Sequence, residues 1–296
     1  MVEAEFSGKS RVASFGRQLQ LLILQILLSI GVLILIGSLP ALINGFQFDP
    51  SGYAEKTAEI AIQLLMLHEM TYEGVPMMPI IAERAGITIP IFLGGAAAAL
   101  FFSFVTAFAS LLLMRRKLKV ITNMLGILEA VPDVMIFVLL QIGVIAFLKA
   151  TGIKLAQFAT TGSENQAVLL PILCIALPVS FFLSKMLIQY ITEELDKRYI
   201  ELVRSMGFSY SYILNMHVMR NIAGALFGSA KTVFWSMLST MAVVEYLFNL
   251  NGLLSFVFTA STPEVFTLSC ITLFIPLFIL YRVFERISSS IRKETQ

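Results

Sequence analysis

Apolar runs long enough to cross a bilayer dominate this chain and dictate what it can become. Windows at about 18–43, 88–114, 127–148, 167–190, 223–247 and 265–284 are each nearly free of charge, and about 20 such residues suffice to span a hydrocarbon core about 30 Å thick. Inside lipid every backbone N–H and C=O must be paired within its own segment. The windows lack the alternating period of barrel strands, so they predict helices. The 296 residues are 57% hydrophobic and only 14% charged, against roughly 25% charged in an average soluble domain. The expected fold class is therefore all-α: a polytopic membrane protein with about six transmembrane helices.

Basic residues give the sense of insertion. Lys9, Arg11 and Arg17 precede the first window, Arg115, Arg116, Lys117 and Lys119 lie between the second and third, and Arg282, Arg286, Arg292 and Lys293 follow the last; of the 21 Lys and Arg, only Lys56, Arg84, Lys149 and Lys154 fall on the opposite side. By the positive-inside bias both termini are cytosolic. The domain plan is a cytosolic tail at 1–17, a first span at 18–43, an acidic extracytoplasmic loop at 44–87, a core at 88–285 holding a cytosolic loop at 191–222, and a cytosolic tail at 286–296. The tail at 1–17 is too polar, and its apolar run comes too late, for a simple cleaved signal.

Several chemistries are set aside by residue type. Gly8-Lys9-Ser10 ends like a phosphate-binding P-loop, but Glu3 stands where its first glycine belongs and no strand precedes it. His68 and His217 fall on opposite sides of the membrane in this topology and cannot share a metal. Cys174 and Cys270 sit inside apolar runs, as inert core thiols do. Neither a cofactor nor a metal is expected. The net charge of +2 is too small to argue for nucleic acid. There is no HExxH motif or triad spacing to suggest a membrane-embedded enzyme.

Within the acidic loop, Ile60, Leu64, Leu67 and Met70 approach helical spacing and predict a short amphipathic helix, with a solvated cap favoured over a ligand contact. Glu129 and Asp133 flank Pro132 and are expected one turn apart on one helix at the entry to the third span. Carboxylates near the bilayer centre face an aqueous path or an interface, so this pair defines one alternative, a proton-coupled secondary transporter. Pro132, Pro171, Pro178 and Pro276 lie within spans and can kink them. Gly224 and Gly228, beside Ala223 and Ser229, make a small-residue face suited to close helix packing.

The stretch "ELDKRYIELVRSMGFSYSYILNMHVMRN", residues 194–221, is a charged, aromatic block set between two apolar windows. Tyr199, Leu202, Val203 and Met206 recur at helical spacing and predict a buried stripe, with Lys197, Arg198, Glu201 and Arg204 on the other faces. Glu194 is placed to pair with Arg198 four residues on. Gly207 can take the positive φ that follows a helix end, and Ser209 can cap a second helix through Tyr212, Ile213, Met216 and Met219. A mere connection needs about 2–8 residues, so a structured elbow of this length indicates a cytosolic docking surface, with a helix lying on the lipid surface as the alternative.

The order Glu201-Leu202-Val203-x-x-x-Gly207 followed by "FSYSYILNMHVMRN" resembles the EAA loop of ABC-transporter permeases, whose pattern is E-A-A-x-x-x-G with I-x-L-P downstream. It is most similar to the form in dipeptide, oligopeptide and nickel importers, which carry a tyrosine where Tyr199 stands and a histidine and an Arg-Asn pair where His217 and Arg220-Asn221 stand. "LEAVPDVMIFVLLQ", "ALPVSFFLSKML" and "VVEYLFNLNGLL" resemble further segments of that family. Leu202 and Val203 replace its two alanines, Arg220 its proline, and Lys185 a common arginine.

The resemblance implies a type I ABC importer permease, one half of a translocation path for a peptide-like or small solute. Its implied partners are a second permease, most often a paralogue, cytosolic ATP-binding subunits that hold the ATPase activity, and an extracellular substrate-binding lipoprotein. Residues implied in coupling to the ATPase are Tyr199, Glu201, Leu202, Arg204, Ser205, Met206, Gly207, Phe208 and Ser209. Residues implied along the path or its outer gate are Glu129, Asp133, Glu245 and Phe248.

Overall fold

The computed structural model describes residues 2–44, 47–154, 156–157, 159–160, 167–260 and 262–294, with side chains from residue 20 to residue 286 apart from residue 44. The tripeptide Gly8-Lys9-Ser10 and the basic residues Arg11, Arg17, Arg292 and Lys293 of the tails lie outside the described side chains. The elements are helices α1 (Val2–Gly37), α2 (Pro50–Leu65), α3 (Met77–Leu113), α4 (Leu118–Glu129), α5 (Asp133–Thr151), α6 (Leu169–Leu195), α7 (Arg198–Ser205), α8 (Tyr210–Tyr212), α9 (Met219–Leu247), α10 (Leu253–Ala260) and α11 (Pro263–Glu294). Two two-residue hairpins, β1 (Ile43–Asn44) with β2 (Gln47–Phe48) and β3 (Thr71–Tyr72) with β4 (Val75–Pro76), are both antiparallel.

Among the described residues, five helical stretches are long and apolar enough to cross a membrane: Gln20–Gly37 in α1, α3, α5, α6 and Pro263–Arg286 in α11. The remaining expected window, 223–247, falls in α9, which has ample length at 29 residues. It does not reach the apolarity of the other five, because Lys231 and the hydroxyls of Thr232, Ser236, Ser239 and Thr240 interrupt it.

The chain divides into two compact units. The first comprises residues 1–82 and 257–274. Here Asp49 caps α2 by accepting the Gly52 N–H at 2.9 Å, a bond that holds its carboxyl below the usual range. Lys56 of α2 pairs with Glu59 and with Glu264, at 3.0 and 2.5 Å, and Tyr53 donates to the Leu35 carbonyl at 3.0 Å. The amphipathic helix expected in the acidic loop is α2. It ends at Leu65, so Ile60 is buried while Leu67 lies beyond the helix and is exposed.

The second unit comprises residues 83–256 and 275–296 and is organised around α6, the most buried of the membrane-length helices. Against it pack α4, α5 and α9. Gly94 and Gly95 of α3 are the close-approach positions, since a Cβ there would come within 2.9 Å of Ile172 and 2.8 Å of Ile175. The sequence placed such packing at Gly224 and Gly228, yet neither has an atom within 4 Å of where its Cβ would lie. Their face of α9 is open.

Two apolar clusters fill this unit. One gathers Phe137, Leu170, Cys174, Ile175, Met237 and Phe248; the other gathers Leu111, Leu125, Leu187 and Ile191 with Ile200, Ile213, Leu214 and Val218 of the 194–221 block. The block is thus rooted in the core, because burial of its branched apolar side chains fixes the elbow to α3, α4 and α6.

Candidate functional site

α6 ends at Leu195, and Lys197 takes an extended conformation (φ −75°, ψ 145°) that starts α7 in a new direction. This break is why Glu194 does not pair with Arg198, as helical spacing predicted. Its Oε2 instead pairs with Lys197 Nζ at 2.7 Å. Its Oε1 accepts from Tyr199 Oη at 2.7 Å and from Asn221 Nδ2 at 3.0 Å, and the same amide donates to Tyr199 Oη at 2.8 Å. Glu194 is buried, at 6% exposure, and a buried carboxylate is tolerated only when its lone pairs are met in this way. The network ties the end of α6, the start of α7 and the base of α9 into one joint. Sequence reading found Tyr199 by resemblance and missed Glu194 and Asn221 as its partners, because they meet only through the fold.

Burial, with the Glu194 carboxylate beside it, pushes the Tyr199 phenol up to about 12. The neutral phenol is the donor, so its contribution is complete below its ordinary range near pH 10 and lost as the pH rises toward about 12. Tyr199→Phe is expected to cost about 1.5–3 kcal/mol, the range for a hydrogen bond to a charged group. Thermal unfolding in detergent checks this: the gap between wild type and variant should be full at pH 8 and narrow steadily above pH 10.

Beyond α7, Gly207 has φ +85° and its N–H donates to the Arg204 carbonyl at 3.0 Å, closing the helix in a left-handed turn. Ser209 caps the next helix, its Oγ accepting from the Tyr212 N–H at 3.3 Å. A π-helical stretch, Ile213–Val218, then joins α8 to α9. The turn residue and cap are where the sequence placed them.

The buried stripe is not. Ile200 is the fully buried residue of α7, while Leu202 and Met206 are 64% and 65% exposed and Phe208 41%. With the helix starting at Arg198 rather than Glu194, the face turned to the core passes through Ile200, and Tyr199 and Val203 flank it. The apolar side chains expected inside therefore form an outward patch. Glu201, Arg204, Ser205 and Ser209 surround it and are exposed; Glu201 and Arg204 make no ion pair among the described residues. Phe208 stacks on Tyr212 with centroids 4.8 Å apart, and Tyr212 meets His217 edge-on at 5.9 Å. On the core side, the Arg115 guanidinium lies 4.3 Å from the Tyr210 ring centroid, an anchor the sequence did not suggest.

The path candidates are placed differently from expectation. Glu129 ends α4 and Asp133 begins α5, with the chain broken at Pro132, so they are not one turn apart on one helix. Pro132 lacks an N–H and disfavours helix for the residue before it. Glu129 pairs with Lys185 of α6 at 2.8 Å, and Asp133 accepts from Thr240 of α9 at 2.9 Å. Each carboxylate has its own partner on a different helix, and no bond links the two among the described residues.

Glu245 and Phe248 are fully buried. Glu245 accepts from Thr88 Oγ1 at 2.5 Å and from the Ser255 N–H at 2.7 Å, and Thr88 Oγ1 accepts from the Leu253 N–H at 2.8 Å. The carboxylate thereby closes the turn between α9 and α10 and caps α10. Phe248 packs in the first apolar cluster, and its carbonyl accepts from the Thr160 N–H at 2.9 Å.

The described helices of membrane length thus carry an elbow whose outward apolar patch stands on a buried joint. The chain belongs to the family of binding-protein-dependent transport system inner membrane components, whose model matches residues 88–290. Among solved structures it is similar to a chain of the MetNI methionine ABC transporter in inward-facing conformations, at 15% identity and a TM-score of 0.53, covering 75% of this chain and 99% of that one. At such identity the likeness is one of fold, the type I ABC importer fold. No curated protein matches. The protein is thus a multi-pass plasma-membrane permease of the ABC importer class.

Proposed function

We propose that this chain forms half of the translocation path of an ATP-driven importer of the dipeptide, oligopeptide and nickel type, and that a separate cytosolic ATPase grips it at the elbow. One observation carries this: Leu202 stands exposed on a short helix whose other face, through Ile200, is buried in the core, and Met206 and Phe208 stand exposed at the turn that ends that helix. Apolar anchors inside a charged rim are how a helix seats in a partner's groove, with the anchors supplying affinity and Glu201 and Arg204 supplying partner choice. Pushing on that patch moves Glu194 and the ends of α6 and α9 with it. An extracellular binding protein delivers the solute, and a second permease, a paralogue, completes the path.

The rival reading, a proton-coupled carrier using Glu129 and Asp133, is weakened by their separate partners. Reconstitution of the permease pair with its ATPase and binding protein tests both. Uptake is expected to require ATP, to withstand a protonophore, and to stay within about twofold of wild type in Asp133→Asn, because the amide oxygen still accepts from Thr240. Uptake collapsed by the protonophore alone, with no need of ATP, would establish the carrier instead.

A further inference from the structure

The geometry points to a solute-contacting cation inside the path: we propose that Lys231 of α9 receives a carboxylate of the transported solute, with Trp235 as the apolar wall beside it. This rests on the transport reading above and narrows its substrate class.

Lys231 lies deep within α9, about 18 Å along the axis from Met219 and about 24 Å from Leu247 at 1.5 Å per residue. An ammonium facing lipid at that depth is costly, so such a residue faces water or a counter-charge. Among the described residues no counter-charge reaches it. Lys231 is exposed and makes no ion pair or hydrogen bond among the described residues. Of the interior carboxylates, Glu129 is taken by Lys185. Asp133 is held by Thr240, which lies roughly half a turn around α9 from Lys231.

The surroundings fit a ligand. Gly228 and Gly224, one and two turns toward the elbow, have open space where side chains would stand, so the ammonium overlooks a bare stretch of helix. Trp235, the chain's one tryptophan, is one turn the other way and 65% exposed. Thr232, Ser236 and Ser239 keep this side of the helix polar. A cation beside an aromatic wall suits a carboxylate attached to an apolar group, as at the C-terminus of a peptide, and repels a bare divalent metal ion. That charge complementarity favours a peptide-like cargo within the proposed class.

The test uses the assembled transporter in a Cys174→Ala, Cys270→Ala background. Gly228→Cys is introduced and its reaction rates are measured with an anionic sulfonatoethyl and a cationic trimethylammonioethyl methanethiosulfonate. Both reagents should react from water, and adding Lys231→Met should lower the anionic-to-cationic rate ratio by about tenfold, the effect of one unit charge acting over roughly 6 Å at the dielectric of water. Lys231→Arg should preserve the ratio. In uptake assays, Lys231→Met should abolish any preference for trialanine over its C-terminal amide. A cysteine shielded from both reagents would mean that lipid or an acidic group of the second permease covers this face, and would overturn the proposal. So would an unchanged ratio. In either case ATP-driven uptake persists, which separates this failure from failure of the importer reading.

Discussion

Gly207→Pro is expected to leave the permease inserted and at normal abundance while lowering ATP-driven uptake at least about tenfold. The reason is local. Gly207 holds φ +85°, whereas proline is locked near −65° and has no N–H to donate. The bond to the Arg204 carbonyl and the left-handed turn are lost together, so α7 must leave Phe208 in another direction. The outward patch of Leu202, Met206 and Phe208 is then no longer one surface. The buried side of the elbow, Ile200 with Ile213 and Leu214, lies on either side of the turn and keeps the spans folded. Gly207→Ala separates backbone strain from redirection. Nothing lies within 4 Å of the added Cβ, so its cost is only the roughly 1–2 kcal/mol of a left-handed alanine, and uptake should fall by less. ATP hydrolysis and uptake measured side by side in proteoliposomes check this. Hydrolysis that no longer drives uptake supports the coupling role; wild-type uptake by Gly207→Pro at wild-type abundance removes it.

The second large effect is expected at the opposite end of α9. Glu245→Ala strips the Ser255 N–H and the Thr88 hydroxyl of their shared acceptor, and each buried group left unpaired costs about 1–3 kcal/mol. Glu245→Gln retains one acceptor oxygen and should cost less. Gly252→Ala should act like Glu245→Ala from the other side, because its Cβ would fall 2.3 Å from the Glu245 carboxyl, closer than any real contact. The measurements are yield from the membrane and thermal unfolding in detergent. All three variants should be destabilised, in the order Ala at 245 and at 252 ahead of Gln at 245. Were Glu245 a gate with no structural duty, Glu245→Ala would unfold at the wild-type temperature and alter uptake alone.

These two sites differ in how they could be found. The elbow's turn was legible because a glycine after a helical run and a serine before the next are local signals, and the backbone obeyed them at Gly207 and Ser209. The function of Glu245 was not, since its partners Thr88 and Ser255 are distant in sequence or hidden in a turn, and a carboxylate near the end of an apolar helix fits a gate or a cap equally well. Glu194 misled for a related reason. Helical spacing matched it with Arg198, but the helix stops at Leu195, and the carboxylate is instead shared by Lys197, Tyr199 and Asn221. Glu129 and Asp133 looked like a pair until Pro132 placed them on separate helices.

By itself the sequence determined the all-helical membrane architecture, the place of the elbow and its left-handed turn. Lipid admits few alternatives for long apolar runs, and chain geometry ties turn residues to their own neighbours. Only the tertiary structure decided which face of α7 is buried, which carboxylates are paired and which cation in α9 has no partner among the described residues. Those outcomes depend on where one helix stops and another crosses it, and the break at Asp196 and Lys197 between α6 and α7 is enough to turn Leu202 and Met206 from the core to the surface.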